Sequence, residues 1–258
     1  MKIGLIGRGA IARYVTSALT ERGQSVDVVL LRPERVPPDA TVECGSVAAI
    51  PAGIDLMIDC AGHAALVDHG PKILARGIDL VTVSLGALAN PATEAALAQA
   101  ARDGGSKLHL ASGAIGALDC LNAARIGGLT SVLYTGRKPP KGWRGSPAES
   151  KLDLDTLEAG SETHFHGSAR DAAMEYPKNA NVAAAVALAG LGFDDTQVRL
   201  IADASIERNI HEISASGTFG QFRFEISGNA LPDNPRSSAL AAMSVLSKLD
   251  QITREISL

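Results

Sequence analysis

Two hydrophobic rhythms divide this chain. Through the first half, short apolar runs alternate with stretches whose apolar residues recur every three or four positions. Residues 2–6, 25–31, 56–60, 80–83 and 107–110 read as strands, short and apolar as buried parallel strands are. Between them, 10–22 is a helix closed by Gly23, and 64–76 is a helix closed by Gly77. A third helix, 92–102, is entered through Asn90-Pro91, an N-cap residue with proline at the first helical position. Repeated strand–helix units of this kind make an open parallel sheet.

The rhythm changes in the second half. Residues 131–135 and 162–167 read as strands, separated in part by a polar, Pro/Gly-rich stretch at 138–150. Residues 169–176 and 181–191 read as helices, the second so rich in alanine that it must pack closely. Strands at 197–203, 208–216 and 220–227 follow one another. In the last, Phe222, Phe224 and Ile226 alternate with Gln221, Arg223 and Glu225, the period of an antiparallel sheet with two unlike faces. A turn-rich segment at 229–236 leads into a final helix at 237–254.

The first strand runs straight into Gly7-Arg8-Gly9-Ala10-Ile11-Ala12, with a helical pattern following at once. Gly7 permits a tight turn, Gly9 lets backbone N–H groups approach a pyrophosphate, and Ala12 lets the helix lie close on the strand. The diphosphate would sit at the positive end of the helix, against Gly7, Gly9, Ala10 and Ile11. The bland alternative is a tight strand–helix turn with no ligand. The fold class that follows is α/β, a Rossmann-type parallel sheet plus a smaller α+β domain with a largely antiparallel sheet. The dinucleotide-binding domain spans 1–118 and is completed by the C-terminal segment 230–258; the substrate domain spans 119–229.

In a doubly wound sheet, ligands collect at the carboxyl ends of the strands. Three segments rich in small residues end there: Asp59-Cys60-Ala61-Gly62-His63, Ser84-Leu85-Gly86-Ala87 and Ala111-Ser112-Gly113-Ala114-Ile115-Gly116-Ala117. Cys60, Ala61 and Gly62 are accordingly expected at the cofactor. The second strand ends not in the acid that holds a ribose 2′-OH but in Leu30-Leu31-Arg32-Pro33-Glu34-Arg35. Arg32 and Arg35 could accommodate a 2′-phosphate or simply be solvated, so the cofactor reads as NAD or NADP.

Bulk properties remove other classes. The net charge of −4 gives no electrostatic reason to expect nucleic acid or an anionic membrane, and 3% aromatic residues argue against base stacking. No apolar run approaches the ~20 residues of a membrane span. The three cysteines are scattered and lack metal-ligand spacing. Met1 leads directly into the first strand, so the expectation is a chain without a cleavable signal, at home in the cytoplasm.

Six histidines are candidates for proton transfer. His63, His69 and His109 read as structural or surface residues. His164 and His166, two apart on a strand, should share a face, but no acidic or thiol partner completes a metal site, and no metal is expected. His211 shares a face with Ile213. It is either a packing residue or the natural proton acceptor for an amine or alcohol oxidation near neutral pH. Arg137 and Lys138 after a strand, Arg170 and Lys178 flanking a helix, and Arg236 before the last helix are groups able to bind carboxylates.

The chain resembles the L-aspartate dehydrogenase family nearly end to end. The resemblance is carried by Gly7-Arg8-Gly9-Ala10-Ile11-Ala12, Ala111-Ser112-Gly113-Ala114-Ile115-Gly116-Ala117-Leu118-Asp119 and Gly167-Ser168-Ala169-Arg170-Asp171-Ala172. Tyr176-Pro177-Lys178-Asn179-Ala180-Asn181-Val182-Ala183-Ala184, Asn209-Ile210-His211-Glu212 and Asn234-Pro235-Arg236-Ser237-Ser238 complete it. It implies NAD(P)-dependent oxidation of L-aspartate to iminosuccinate, which hydrolyses to oxaloacetate or feeds NAD biosynthesis. It further implies that Ala114 and Asn181 contact the cofactor, that His211 is the active-site residue, and that the protein is a homodimer. Ser168, Arg170, Lys178 and Arg236, which lie in these blocks, are the expected substrate-binding residues. Rival readings are a dihydrodipicolinate-reductase-like enzyme, faintly suggested by Glu162-Thr163-His164-Phe165-His166, and a non-catalytic NAD(P)-binding redox sensor.

Overall fold

The structure, a computed structural model, describes every residue except 178, 232, 233, 257 and 258, and of residues 235 and 236 it describes the backbone alone. The chain divides into two compact units, Met1–Ala111 with Ala241–Leu258, and Ser112–Leu240.

In the first unit, β1 (Ile3–Ile6), α1 (Ala10–Glu21), β2 (Val26–Leu30), β3 (Glu43–Cys44), β4 (Leu56–Asp59), α2 (His63–Leu74), β5 (Asp79–Thr82), α3 (Pro91–Gly104) and β6 (Leu108–Leu110) follow in turn. The six strands pair in the order β3-β2-β1-β4-β5-β6, all parallel. This is the doubly wound order of a dinucleotide-binding sheet, with the ligand crevice beside β1. β1 and β4 are buried along their whole length, which is why they read as unbroken apolar runs. β3 has two residues, held by pairing to Val29 and Leu30, and is too short for any periodicity to announce it. Asn90 caps α3 through its side chain, which accepts from the N–H groups of Ala92 and Thr93. Helices α2 and α3 approach closely at glycines. A Cβ at Gly70 would stand 2.7 Å from Leu97, and one at Gly104 only 1.9 Å from the backbone oxygen of Leu74.

The second unit opens with α4 (Leu118–Gly127) and β7 (Leu129–Lys138), then β8 (Ser161–Ser168), α5 (Ala169–Glu175), α6 (Asn181–Ala189) and α7 (Gly192–Asp195). β9 (Gln197–Asp203), β10 (Asn209–Gly217), β11 (Gly220–Gly228), β12 (Ala230–Leu231) and β13 (Asn234–Ser238) follow. Five strands form a sheet in the order β11-β10-β7-β9-β8, antiparallel except for the β7–β9 pair. In α6 every residue from Val182 to Ala187 is buried, as its alanine content requires.

Three expectations need correction. No helix was expected at 118–127. α4 has no side-chain cap and is entered through Ala117 in the left-handed conformation (φ 58°), so the usual start signal is missing. The turn-rich segment at 229–236 pairs as the short hairpin β12–β13. Finally, His164 and His166 do not share a face. The β8–β9 register shifts between Thr163 and Phe165, so His164 and Phe165 are both buried while His166 is exposed.

The last helix, α8 (Ala239–Thr253), places Val245, Leu246 and Leu249 in the core of the first unit against Val15 and Leu19 of α1, and Asp250 pairs with Arg22 at 2.8 Å. Among the described residues no helix is long and apolar enough to cross a membrane.

Gly104→Ala should destabilise the protein by about 1–3 kcal/mol, because the clash is with backbone rather than a movable side chain. Urea unfolding checks this, and an unchanged midpoint contradicts the tight α2–α3 approach.

Candidate active site

In the first unit, the chain leaving β1 turns at Gly7 with φ 88°, and its N–H donates to Leu30 O at 2.9 Å. A Cβ at Gly7 would lie 2.9 Å from that of Ala61, so only glycine lets the turn pass this close to the loop after β4. Gly9 stands extended as the N-cap of α1, and a Cβ there would approach the backbone oxygen of Cys60 at 3.7 Å. The start of α1 has no side-chain cap and no acidic residue in its first turn. Its leading N–H groups, with Ala10 and Ile11 at the front, therefore face an anion without competition, a donor set that fits a pyrophosphate. Gly7, Gly9, Ala10, Cys60, Ala61 and Gly62 thus surround one strand edge. Arg32 is exposed beyond β2, and Arg8 forms an ion pair with Glu43 of β3.

Asp59 organises this edge, a role that sequence reasoning missed. It is fully buried at the end of β4. One carboxylate oxygen accepts from the Ala61 N–H at 2.9 Å, and the other from the hydroxyls of Thr82 (2.8 Å) and Ser84 (2.6 Å). The loop of Cys60–Gly62 is thereby tied to the loop after β5. Burial pushes the carboxyl above the usual range, while these donors oppose that rise. Burial also raises the Cys60 thiol, with Asp59 adding to the effect, so Cys60 is an inert neutral group.

In the second unit, β10 alternates buried and half-buried residues, and His211, Ile213 and Ala215 point to its buried side. His211 lies opposite Gly136 of β7. Tyr134 is on the same face, and its hydroxyl shares a 2.8 Å hydrogen bond with His211 Nδ1 while the two rings stack at 6.1 Å. The phenol reaches across the vacant side of Gly136, where a Cβ would meet its oxygen at 2.7 Å. Burial first, and the Lys138 charge second, hold the His211 imidazole down to about 4. It is therefore neutral near pH 7. Burial keeps the Tyr134 phenol protonated. In the tautomer that carries its proton on Nδ1, that N–H donates to the phenol oxygen and Nε2 keeps its lone pair as a proton acceptor.

A second buried imidazole, His164, shares a 3.0 Å hydrogen bond with the Tyr176 hydroxyl and meets Trp143 edge-on at 4.3 Å. Burial, followed by the Lys151 charge, brings it to about 4 as well.

Residues 119–252, more than half of the chain, match the family model described as aspartate dehydrogenase, C-terminal, and residues 7–111 match that described as homoserine dehydrogenase, NAD binding domain. The chain belongs to the aspartate dehydrogenase family. The L-aspartate dehydrogenase of Ruegeria pomeroyi is 54% identical, covering 97% of this chain and 92% of its own. Those of Pseudomonas aeruginosa and Cupriavidus necator are 45% and 44% identical, with complete coverage of both chains. The crystal structure of aspartate dehydrogenase from Thermotoga maritima superposes with a TM-score of 0.77 at 24% identity, covering 100% of this chain and 99% of its own, and shows the shared fold. The cofactor is accordingly a nicotinamide dinucleotide, NAD or NADP.

The remaining family-implied residues lie in the second unit. Ala114 is buried in the turn before α4, and Asn181 opens α6. Ser168 and Arg170, expected at the substrate, lie at the start of α5. The Ser168 hydroxyl accepts from the Asp171 N–H as an N-cap, and Arg170 makes a two-pronged ion pair with Asp194 at 2.6 and 2.8 Å. Lys178 lies outside the described residues, as does the side chain of Arg236.

The two low imidazole values set a pH dependence. Between about 6.5 and 4 the unfolded chain takes up protons that the folded chain resists, so stability is fully present above that window and falls as pH drops through it. Urea midpoints should fall markedly from about pH 7.5 to about pH 5, and His211→Gln should flatten the slope; His211 itself contributes up to about 3 kcal/mol. A wild-type midpoint independent of pH contradicts the buried neutral pair.

Proposed function

We propose that this chain oxidises L-aspartate to iminosuccinate, with NAD or NADP taking the hydride from Cα and water then releasing oxaloacetate and ammonia. The observation that carries the reading is a neutral, buried imidazole with one nitrogen anchored by a phenol, in a chain of the aspartate dehydrogenase family. A bound nicotinamide supplies the two-electron acceptor. The chain's residues do the rest.

The amino group of L-aspartate carries a proton at neutral pH and must lose protons as the C=N bond forms. His211 Nε2 is the acceptor, directly or through a water, and Tyr134 anchors the ring at Nδ1. The open start of α1, with Gly7, Gly9, Ala10 and Ile11, holds the pyrophosphate. Cys60, Ala61 and Gly62 line the same edge, kept in place by Asp59, and Arg32 is available to a 2′-phosphate. Ala114 and Asn181 complete the cofactor contacts that the resemblance implies. Ser168, Arg170, Lys178 and Arg236 are the substrate-binding assignments of that resemblance. A cytoplasmic homodimer whose product feeds NAD biosynthesis is the setting that it implies.

Reduced-cofactor absorbance, followed with L-aspartate and either nucleotide and with alanine, glutamate and malate as controls, tests the reading. Cofactor binding without turnover of L-aspartate would favour the redox-sensor alternative. His211→Ala should cut kcat by about 10²–10⁴-fold while leaving the cofactor Kd within about twofold. Gly136→Ala, which pushes the phenol off the imidazole, should cost about tenfold or more in kcat. Equal loss of turnover and cofactor affinity in both variants would reject the roles given to His211 and Tyr134.

A further inference from the structure

Lys138 ends β7 two residues beyond Gly136, so it shares the face of Tyr134 and is a diagonal neighbour of His211 across the β7–β10 pair. Its stem is confined, since a Cβ at Gly142 would stand 3.2 Å from its own Cβ. Its ammonium lies 4.7 Å over the Trp143 ring and donates to Asn179 Oδ1 at 2.6 Å. Those are neutral partners. Among the described residues no carboxylate pairs with Lys138. Its neighbour in sequence contrasts with it, because Arg137 forms an ion pair with the buried Asp203 at 2.7 Å. A charge withdrawn from water normally has a counter-ion, and a half-buried ammonium without one is an unfilled electrostatic position.

We propose that Lys138 is the substrate-anchoring cation of this site, its ammonium pairing with a carboxylate of the dicarboxylic amino acid whose amino group His211 serves. This rests on the function proposed above and adds to it the residue that selects for the anion. The diagonal spacing suits a short dicarboxylate, one end at the imidazole and the other at the ammonium. Trp143 and Asn179 hold the ammonium in place without neutralising it, which leaves its charge available. Burial draws the lysine down to about 8, in keeping with a cation that lacks its partner in the unliganded protein.

Two variants test this in the cofactor-loaded protein. Lys138→Met removes the charge and keeps the length. Asn179→Asp keeps the lysine and gives it an internal carboxylate. Both should raise KM for L-aspartate by about tenfold or more and weaken the binding of succinate, a dicarboxylate without the amine, by a similar factor in calorimetry. The cofactor Kd should stay within about twofold. A structural role alone would not let Asn179→Asp weaken an anion, so that variant decides the matter if Lys138→Met folds poorly. Succinate affinity and KM unchanged in Asn179→Asp would overturn the proposal. Wild-type protein that binds succinate through Lys138 yet never turns over L-aspartate would overturn the activity and leave the anion site standing. Comparing L-asparagine with L-aspartate in Lys138→Met identifies the carboxylate: a loss confined to L-aspartate marks the β-carboxylate, and equal losses mark the α-carboxylate.

Discussion

Burying an imidazole in its neutral form is the constraint on which the second unit of this protein turns. His211 is only 6% exposed, and in that setting the charged ring would lose its hydration and face the Lys138 ammonium besides. Neutrality is therefore enforced, and a neutral ring needs a fixed orientation to be useful. Tyr134 anchors the ring, but only because position 136 carries no side chain and the phenol can lie along the strand to its partner. One glycine, one tyrosine and the β7–β10 register thus act together. A one-residue slip of that pairing would turn His211 to the opposite face.

The first unit also buries an ionisable group. Asp59 lies at a strand end, and its carboxyl oxygens accept from the Ala61 N–H and from the Thr82 and Ser84 hydroxyls. The energy of such a group lies less in the hydrogen bonds formed than in the cost of leaving any one unmade. That asymmetry makes the loop beside Gly7 and Gly9 rigid, and a dinucleotide edge built on small residues needs rigidity, since those residues have no side chains with which to adapt.

Much of the architecture was legible because local signals and burial agree. β1 and β4 are apolar because both faces are covered, α3 announces itself through Asn90-Pro91, and β11 alternates because one face differs from the other. The illegible parts fail for identifiable reasons. Ala117 starts α4 from a conformation that no alanine advertises. The shift after Thr163 breaks the two-residue spacing that paired His164 with His166. The pairing of Arg170 with Asp194, 24 positions away, left no mark in the sequence. The His211–Tyr134 bond joins residues 77 positions apart, and Asp59 meets Ser84 across 25. No single-sequence pattern encodes such meetings, so His211 was singled out by resemblance while its partner Tyr134 was not.

The placement of Lys138 beside a neutral imidazole has one more consequence. In the unliganded protein its charge helps to hold His211 near 4, too low for an effective base at neutral pH. A carboxylate paired with the ammonium cancels that repulsion, and the dicarboxylic substrate brings net negative charge with it, which favours the protonated ring. On the roles proposed above, binding the dicarboxylic substrate raises the basicity of the group that accepts its proton. A neutral amino acid, lacking the second carboxylate, would leave the site more positive and the imidazole weaker. On the roles proposed for Lys138 and His211, selection for the anion and activation of the base are the same electrostatic event, and a lysine without a counter-ion on the face of His211 serves both.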